Sequence, residues 1–146
     1  MASDVFRQVY EKVHSDEVPS GGIMADIGSK DGIIAANLAE EFDCRSLSMD
    51  ITFQPESRTR GTTEFVQGDG TNLPLADDTV DAVVSNMVFE HVPDNEDMIR
   101  EAARVLKPSG LFVAIFPNRA CPLDSHSFPP GTPWLPRRFT LRLFSA

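Results

Sequence analysis

Short apolar runs alternate with helix-like segments along most of this 146-residue chain, and this alternation restricts the fold more than any other feature. Runs with the character of strands lie around residues 21–28, 46–51, 63–69, 80–87 and 110–118. Apolar residues with helical spacing occur around residues 3–15, 31–42 and 95–106. Strands that alternate with helices favour a parallel sheet with right-handed crossovers and helices on both faces. The sequence therefore predicts an α/β fold.

The helix predicted over 95–106 has clear start and stop signals. Asp94 is a natural N-cap, and Pro108 and Gly110 follow the last turn. Its expected inner face consists of Ile99, Ala102, Ala103 and Leu106. The helix before it is expected to place Ile34, Ala35, Leu38 and Phe42 on one face.

The charge of the chain is strongly acidic and unevenly distributed. A net charge of −9 argues against a general nucleic-acid surface, which needs basic residues to neutralise phosphates, and favours a small or neutral substrate. Residues 119–146 differ, with four basic residues, one acidic residue and five prolines. We therefore predict a domain over 1–118 and a Pro-rich basic tail over 119–146. The Arg and apolar residues at the end of the tail fit the start of an ordinary helix or a membrane-touching amphipathic helix.

The remaining composition argues for a cytoplasmic protein without a metal site. No apolar run approaches the roughly 20 residues that span a bilayer, and the first residues lack a secretory signal. Cys44 and Cys121 lack the spacing of a metal site or a disulfide framework, so both are expected to be reduced thiols. His14 and His126 also lack partners at metal-ligand spacing.

Candidate functional residues follow the first three strands, where ligands bind in open parallel sheets. The loop from Asp26 to Gly32 opens a helix whose N–H groups suit a carboxylate or phosphate, although a tight turn without a ligand has the same pattern. Asp50 lies 22 residues after Gly28, the spacing at which nucleotide-binding folds hold ribose hydroxyls. A strand-end cap is the alternative role for Asp50. Asp69 either accepts a hydrogen bond from an exocyclic amine of a ligand or forms an Asp-Gly turn without one.

The blocks ADIGSKDG, MDI, GDGTNLPLADDTVDAVVSNMVFEHVPD and REAARVLKPSGLFVAIFPN resemble the class I (Rossmann-like) S-adenosylmethionine-dependent methyltransferases, in particular the small-molecule and quinone-type enzymes. The resemblance covers residues 22–118 in order. It implies the sheet order 3-2-1-4-5, with S-adenosylmethionine across the ends of strands one and four.

The resemblance also implies a role for individual residues. The loop of Gly28, Ser29 and Gly32 would hold the methionine part of the cofactor, with support from Asp26. Asp50 would hold the ribose and Ile51 would cover the adenine. Asp69 and Gly70 would contact the adenine edge. Ser85 and Asn86 would line the methionine side through their backbone groups. The resemblance identifies no catalytic residue. His91 is either a general base or part of a packed turn, and Asp81, Leu106 and Pro108 are expected to be structural.

Two features depart from the family pattern. Lys30 stands where the family has the central glycine of its loop, and its ammonium either pairs with the cofactor carboxylate or points to solvent. The two strands with which the family completes its sheet have no counterpart here. We therefore expect a C-terminally truncated form with little activity, whose fifth strand is an edge that favours self-association.

These features favour three candidate functions to different degrees. Methyl transfer from S-adenosylmethionine to a small-molecule acceptor is the leading hypothesis. A cofactor-binding or interaction module without catalysis is the alternative, because of Lys30 and the missing strands. A nicotinamide-dependent oxidoreductase would require G-x-G-x-x-G, which Gly28–Gly32 does not provide.

Overall fold

The computed structural model describes residues 19–52 and 62–116. The chain divides into two units, Met1–Ile115 and Phe116–Ala146. The helix predicted over 3–15, the tail over 119–146 and Cys121 lie outside the described residues.

Five parallel strands form one sheet in the order β3-β2-β1-β4-β5. The strands are β1 (Ile23–Ile27), β2 (Arg45–Asp50), β3 (Thr63–Gln67), β4 (Val80–Asn86) and β5 (Leu106–Ile115), and the helices are α1 (Ile33–Glu41) and α2 (Asn95–Val105). The predicted Rossmann-like order is confirmed. Among the described strands, β3 and β5 are the sheet edges.

The two helices within the described residues cover opposite faces of the sheet. Met24 of β1 packs in a cluster that includes Leu38 of α1, whereas its neighbour Ala25 packs in a second cluster that includes Met98 of α2. Successive side chains of a strand point to opposite faces, so β1 contributes to both cores. The prediction of helices on both faces is confirmed.

The N-cap of α2 is confirmed, but its predicted inner face is partly wrong. The Asp94 side chain accepts hydrogen bonds from the N–H groups of Glu96 and Asp97. The buried positions are Met98, Ala102 and Val105, whereas Ile99 is 47% exposed and Ala103 is exposed. Met98, Ala102 and Val105 follow the i, i+4, i+7 pattern, which rotates the buried face by one position from the predicted one.

The start of β5 is irregular. Val80 pairs with Leu106 and Ala82 pairs with Leu111, so the segment between Leu106 and Leu111 bulges out of the ladder. Asp81 lies opposite this bulge, where it accepts hydrogen bonds from the Lys107 ammonium and from the Ile23 N–H. Asp81 therefore joins three strands, in agreement with its expected structural role.

Arg104 fixes the loop that follows Asp69 to helix α2. Its guanidinium donates to the carbonyl oxygens of Leu73 and Leu75 and to the carboxylate of Glu101, which also accepts the Leu73 N–H. A planar guanidinium with five donors suits such a convergence of acceptors. The loop between β3 and β4 is thereby held against α2.

Candidate functional site

A cavity of about 610 Å³ lies at the carboxyl ends of the strands. Its walls come from the loops that follow β1, β2, β3 and β4. Small-molecule sites in proteins have volumes of roughly 300–1,000 Å³, and open α/β sheets bind ligands at this edge. The cavity therefore has the size and the position of a ligand site.

The loop after β1 is tied to the end of β2 by three consecutive N–H groups. Those of Gly28 and Ser29 both donate to the Met49 carbonyl oxygen, at 2.7 and 3.0 Å, and that of Lys30 donates to Asp50 Oδ2 at 2.9 Å. Gly28, Lys30 and Gly32 all have positive φ, at 74°, 55° and 73°. The backbone at Lys30 thus adopts the left-handed conformation that favours glycine.

Two glycines let the backbone pass close to other groups at the cavity. A Cβ on Gly28 would overlap Val88 Cγ2, and a Cβ on Gly70 would lie 2.9 Å from Ile27 Cγ2. Any larger residue at either position would force its neighbour to move.

Asp50, the last residue of β2, and Asp69, two residues after β3, make the same local contacts to a threonine two residues ahead. Asp50 Oδ1 accepts hydrogen bonds from the N–H and hydroxyl of Thr52, both at 2.9 Å. Asp69 Oδ1 accepts from the N–H and hydroxyl of Thr71, at 2.9 and 2.8 Å, and these bonds lower the pKa of Asp69. Ile51, between Asp50 and Thr52, is 65% exposed at the cavity.

Asp26 is the buried acid of the site. It is 2% exposed in the middle strand of the sheet, and its Oδ2 has no hydrogen-bond partner. Burial, followed by the nearby carboxylates of Asp50 and Asp31, raises its pKa to about 8. The side chain is therefore mostly neutral at pH 7. Ser29 Oγ is a second buried cavity-lining atom without a partner.

The structure brings eight of the ten predicted cofactor-binding residues to the cavity wall: Asp26, Gly28, Ser29, Asp50, Ile51, Asp69, Gly70 and Asn86. Gly32 and Ser85 do not line it. Gly32 caps α1, and a Cβ there would lie 2.7 Å from Ser48 Oγ. Ser85 is fully buried within β4. The roles assigned to the ten residues remain predictions.

Sequence reasoning singled out only His91 in the segment between β4 and α2 and missed its neighbours. The cavity wall there consists of Met87, Val88, His91, Val92 and Pro93. The residues FEHVPD belong to a block that carries the family resemblance, but nothing in their pattern shows which side chains turn toward the sheet edge. The His91 N–H donates to the Val88 carbonyl oxygen in a turn, while its side chain is 78% exposed.

Residues 19–52 and 62–116 contain neither a metal-binding cluster nor a membrane-spanning helix. No cluster of three or more His, Cys, Asp or Glu side chains there is arranged to hold a metal ion. No helix in the same ranges is long and apolar enough to cross a membrane. Cys44 is buried and forms no disulfide.

Comparisons with known proteins agree with this architecture. Residues 25–114 match the family described as "Methyltransferase domain". An uncharacterised methyltransferase of Mycobacterium sp. (strain JLS) is 32% identical over 120 residues, which are 77% of this chain and 45% of the relative. A probable S-adenosylmethionine-dependent methyltransferase of Mycobacterium tuberculosis is 46% identical over 56 residues, or 38% of this chain and 20% of that protein.

A solved structure supports the same conclusion for the fold. The SAM-dependent methyltransferase of Aquifex aeolicus superimposes with a TM-score of 0.66 at 17% identity, over 94% of this chain and 74% of that one. The chain spans less than half the length of the mycobacterial relatives. Because the family match covers residues 25–114 and the strand order is 3-2-1-4-5, this chain belongs to the methyltransferase domain family and has the Rossmann-like fold of class I S-adenosylmethionine-dependent methyltransferases.

Proposed function

We propose that this chain binds S-adenosylmethionine in the cavity at the carboxyl edge of the sheet and transfers its methyl group to a small-molecule acceptor. The observation that carries the proposal is the convergence of Asp26, Asp50 and Asp69 on one cavity, each in or just after a different strand. The family uses S-adenosylmethionine as methyl donor.

The polar groups of the cavity fit the donors of this cofactor. An ionised carboxylate offers about four acceptor positions. Contacts from Lys30 and Thr52 occupy three positions on Asp50, which leaves one for a ribose hydroxyl. Both contacts to Asp69 use Oδ1, so Oδ2 is open to an exocyclic amine. The unpartnered Asp26 Oδ2 and Ser29 Oγ suit a group with several N–H donors, such as an ammonium.

The apolar part of the site fits a flat ring. Ile51 is a large exposed side chain at the cavity, a position at which apolar surface is otherwise unfavourable in water. An adenine face packed on Ile51 would remove this surface from solvent. The exposure of Ile51 at the cavity supports the role that the family resemblance implies for it.

The charge of the site favours a cationic ligand. Among the cavity residues, Asp31, Asp50 and Asp69 oppose Lys30, so the wall is acidic even with Asp26 neutral. S-adenosylmethionine supplies an electrophilic methyl group on a positively charged sulfur. Its attraction to an acidic cavity, together with the net charge of −9, also favours small acceptors over phosphate-rich nucleic acids.

The residues of this chain would contribute to the reaction by alignment and by exclusion of water. In-line displacement needs no covalent nucleophile from the protein, because correct orientation of the reactants supplies much of the rate. His91 lines the cavity with an exposed imidazole, so it is positioned to accept a proton from an acceptor that must lose one. An acceptor that is already nucleophilic would not need His91.

Binding is the first measurement. Calorimetry with S-adenosylmethionine and with S-adenosylhomocysteine should show saturable heats, and NAD should show none. Asp50→Ala should lose affinity, whereas Glu64→Ala should not, because Glu64 is an exposed carboxylate that pairs with Arg45 away from the cavity. Absence of binding to a protein that circular dichroism shows to be folded would overturn the proposal.

Turnover is the second measurement. The 146-residue chain is incubated with S-adenosylmethionine and a panel of small alcohols, phenols, amines, carboxylates and carbon acids, and the demethylated product is quantified. Methylation of a panel member supports an enzyme. Binding without any turnover, also after extension of the panel, would favour a cofactor-binding module in which Lys30 replaces the family glycine.

A further inference from the structure

Asp26 occupies an unusual position for an acid. It lies in β1, the central strand, where its register neighbours are Ser48 of β2 and Val84 of β4. The residue is 2% exposed and lines the cavity, and no described residue forms an ion pair or a hydrogen bond with its Oδ2. A carboxylate buried in this way would lack both water and a compensating partner.

Neighbouring charges add to this effect. The titratable and charged groups that surround Asp26 at the cavity, from the β1 loop and the ends of β2, β3 and β4, are Lys30, Asp31, Asp50, Asp69 and His91. Carboxylates outnumber the cations in this set. Burial is the largest cause of the raised pKa of Asp26, about 8, and the carboxylates of Asp50 and Asp31 add to it.

We propose that Asp26 carries a proton in the free protein and releases it to solvent when a ligand ammonium group binds beside it, so that cofactor binding is coupled to the loss of one proton. The inference rests on the proposed function, because it takes S-adenosylmethionine as the ligand. The ammonium of its methionine part has three N–H donors and a positive charge. Next to such a group the ionised form of Asp26 gains the partner that it lacks in the free protein.

Ser29 supports the ammonium as the recognised group. Its hydroxyl oxygen is buried at the same cavity and is also without a partner. An ammonium can donate to a carboxylate and a hydroxyl together, whereas a sulfonium has no N–H or O–H donor. The proton release therefore follows the amino-acid part of the ligand and not its charged sulfur.

Proton release is measured by calorimetric titration at pH 6.5 in buffers with different ionisation enthalpies. At this pH a free α-amino group is charged, since its pKa is about 7.7–8.0. We expect release of about one proton per ligand for S-adenosylmethionine and also for S-adenosylhomocysteine, which keeps the ammonium but lacks the sulfonium. We expect none for methylthioadenosine, which lacks the amino-acid part.

Two variants and a pH series locate the proton. Asp26→Asn should abolish the release, while His91→Asn, which removes another titratable group of the cavity, should leave it unchanged. The number of protons released per ligand by the unmodified chain, minus the number released by Asp26→Asn, should fall with pH. We expect about one at pH 6.5 and less than half a proton above pH 8. If Asp26→Asn does not fold, the number of protons released by the unmodified chain over the same pH range tests the same trend.

The outcomes separate this inference from the proposed function. Binding without proton release, or release that persists in Asp26→Asn, overturns the inference and leaves the proposed function standing. Release with S-adenosylmethionine but not with S-adenosylhomocysteine overturns the ammonium assignment. Absence of binding by every ligand overturns the proposed function and the inference with it.

Discussion

The backbone N–H of Lys30 donates a hydrogen bond to Oδ2 of Asp50 at 2.9 Å, which joins the loop after β1 to the end of β2. To make this contact, Lys30 adopts a φ of 55°, a conformation that costs an L-residue roughly 1–2 kcal/mol relative to the right-handed one. The residue that departs from the family pattern therefore keeps the backbone conformation that a glycine adopts easily.

Replacement of Lys30 by glycine should stabilise the protein. Relief of the left-handed strain outweighs the greater freedom of glycine in the unfolded chain, which costs about 0.5–1 kcal/mol, so we expect a net gain of about 0.5 kcal/mol in the free energy of unfolding. Urea denaturation measures this gain, and Lys30→Ala, which keeps a Cβ, should show none. Cofactor affinity should rise in the glycine variant. A salt-dependent loss of affinity in both variants would instead show that the ammonium contacts the ligand.

Replacement of Asp50 by alanine should weaken cofactor binding by about 1.5–3 kcal/mol, a tenfold or larger loss, because a charged acceptor is removed. The variant also loses the contacts to Lys30 and Thr52, so folding must be compared in parallel. Thr52→Val is the matched control, because it removes one hydroxyl contact to Asp50 and keeps the carboxylate. Equal affinities of Asp50→Ala and the unmodified protein in calorimetry would mean that Asp50 only caps its strand.

Alanine substitutions at Gly28 and Gly21 distinguish the cost of backbone strain from the cost of steric overlap. Both have a φ near 75°, but a Cβ on Gly28 overlaps Val88, whereas a Cβ on Gly21 meets nothing within 4 Å. Gly28→Ala should therefore lose about 1–3 kcal/mol more stability than Gly21→Ala in urea denaturation. Adding Val88→Ala to Gly28→Ala should recover part of this loss. Equal losses at the two glycines would show that strain alone decides.

Asp26→Asn should change the pH dependence of stability. The unfolded chain loses the Asp26 proton near pH 4, whereas the folded protein keeps it until about pH 8. The folded state thus binds more protons between these values, and the free energy of unfolding falls as pH rises through this window. The asparagine variant lacks this slope. Its Tm relative to the unmodified protein should rise from pH 4 to pH 8 and then level off, and a constant difference would contradict the buried neutral acid.

The sheet and most of the cavity could be predicted because their signals are local in sequence. The apolar run from Ala82 to Val84 predicts a strand buried on both faces, and the structure shows these residues buried. The buried face of α2 was predicted one position off because Met98 and Ile99 are adjacent and both apolar. Packing against the sheet buries Met98 and leaves Ile99 exposed, and the sequence pattern does not distinguish the two.

The energetics of the site was harder to predict. The position of Asp26 at a strand end was evident, but its raised pKa depends on burial and on carboxylates 5 and 24 residues away in sequence, Asp31 and Asp50. The contribution of Val88 and His91 likewise depends on the path of the chain after β4, which includes a positive φ of 57° at Met87. A non-glycine residue gives no sequence signal for such a turn.

The carbonyl oxygen of Met49, which accepts both the Gly28 and the Ser29 N–H, has a consequence for the thermodynamics of recognition. The loop after β1 and the end of β2, including Asp50, are already hydrogen-bonded to each other in the free protein. A ligand that contacts both therefore orders few additional backbone dihedrals, and little of its interaction energy is lost as conformational entropy. Binding at this edge should accordingly show a small entropic penalty from the protein, which leaves desolvation of the ligand as the main opposing cost, since Asp26 is already buried in the free protein.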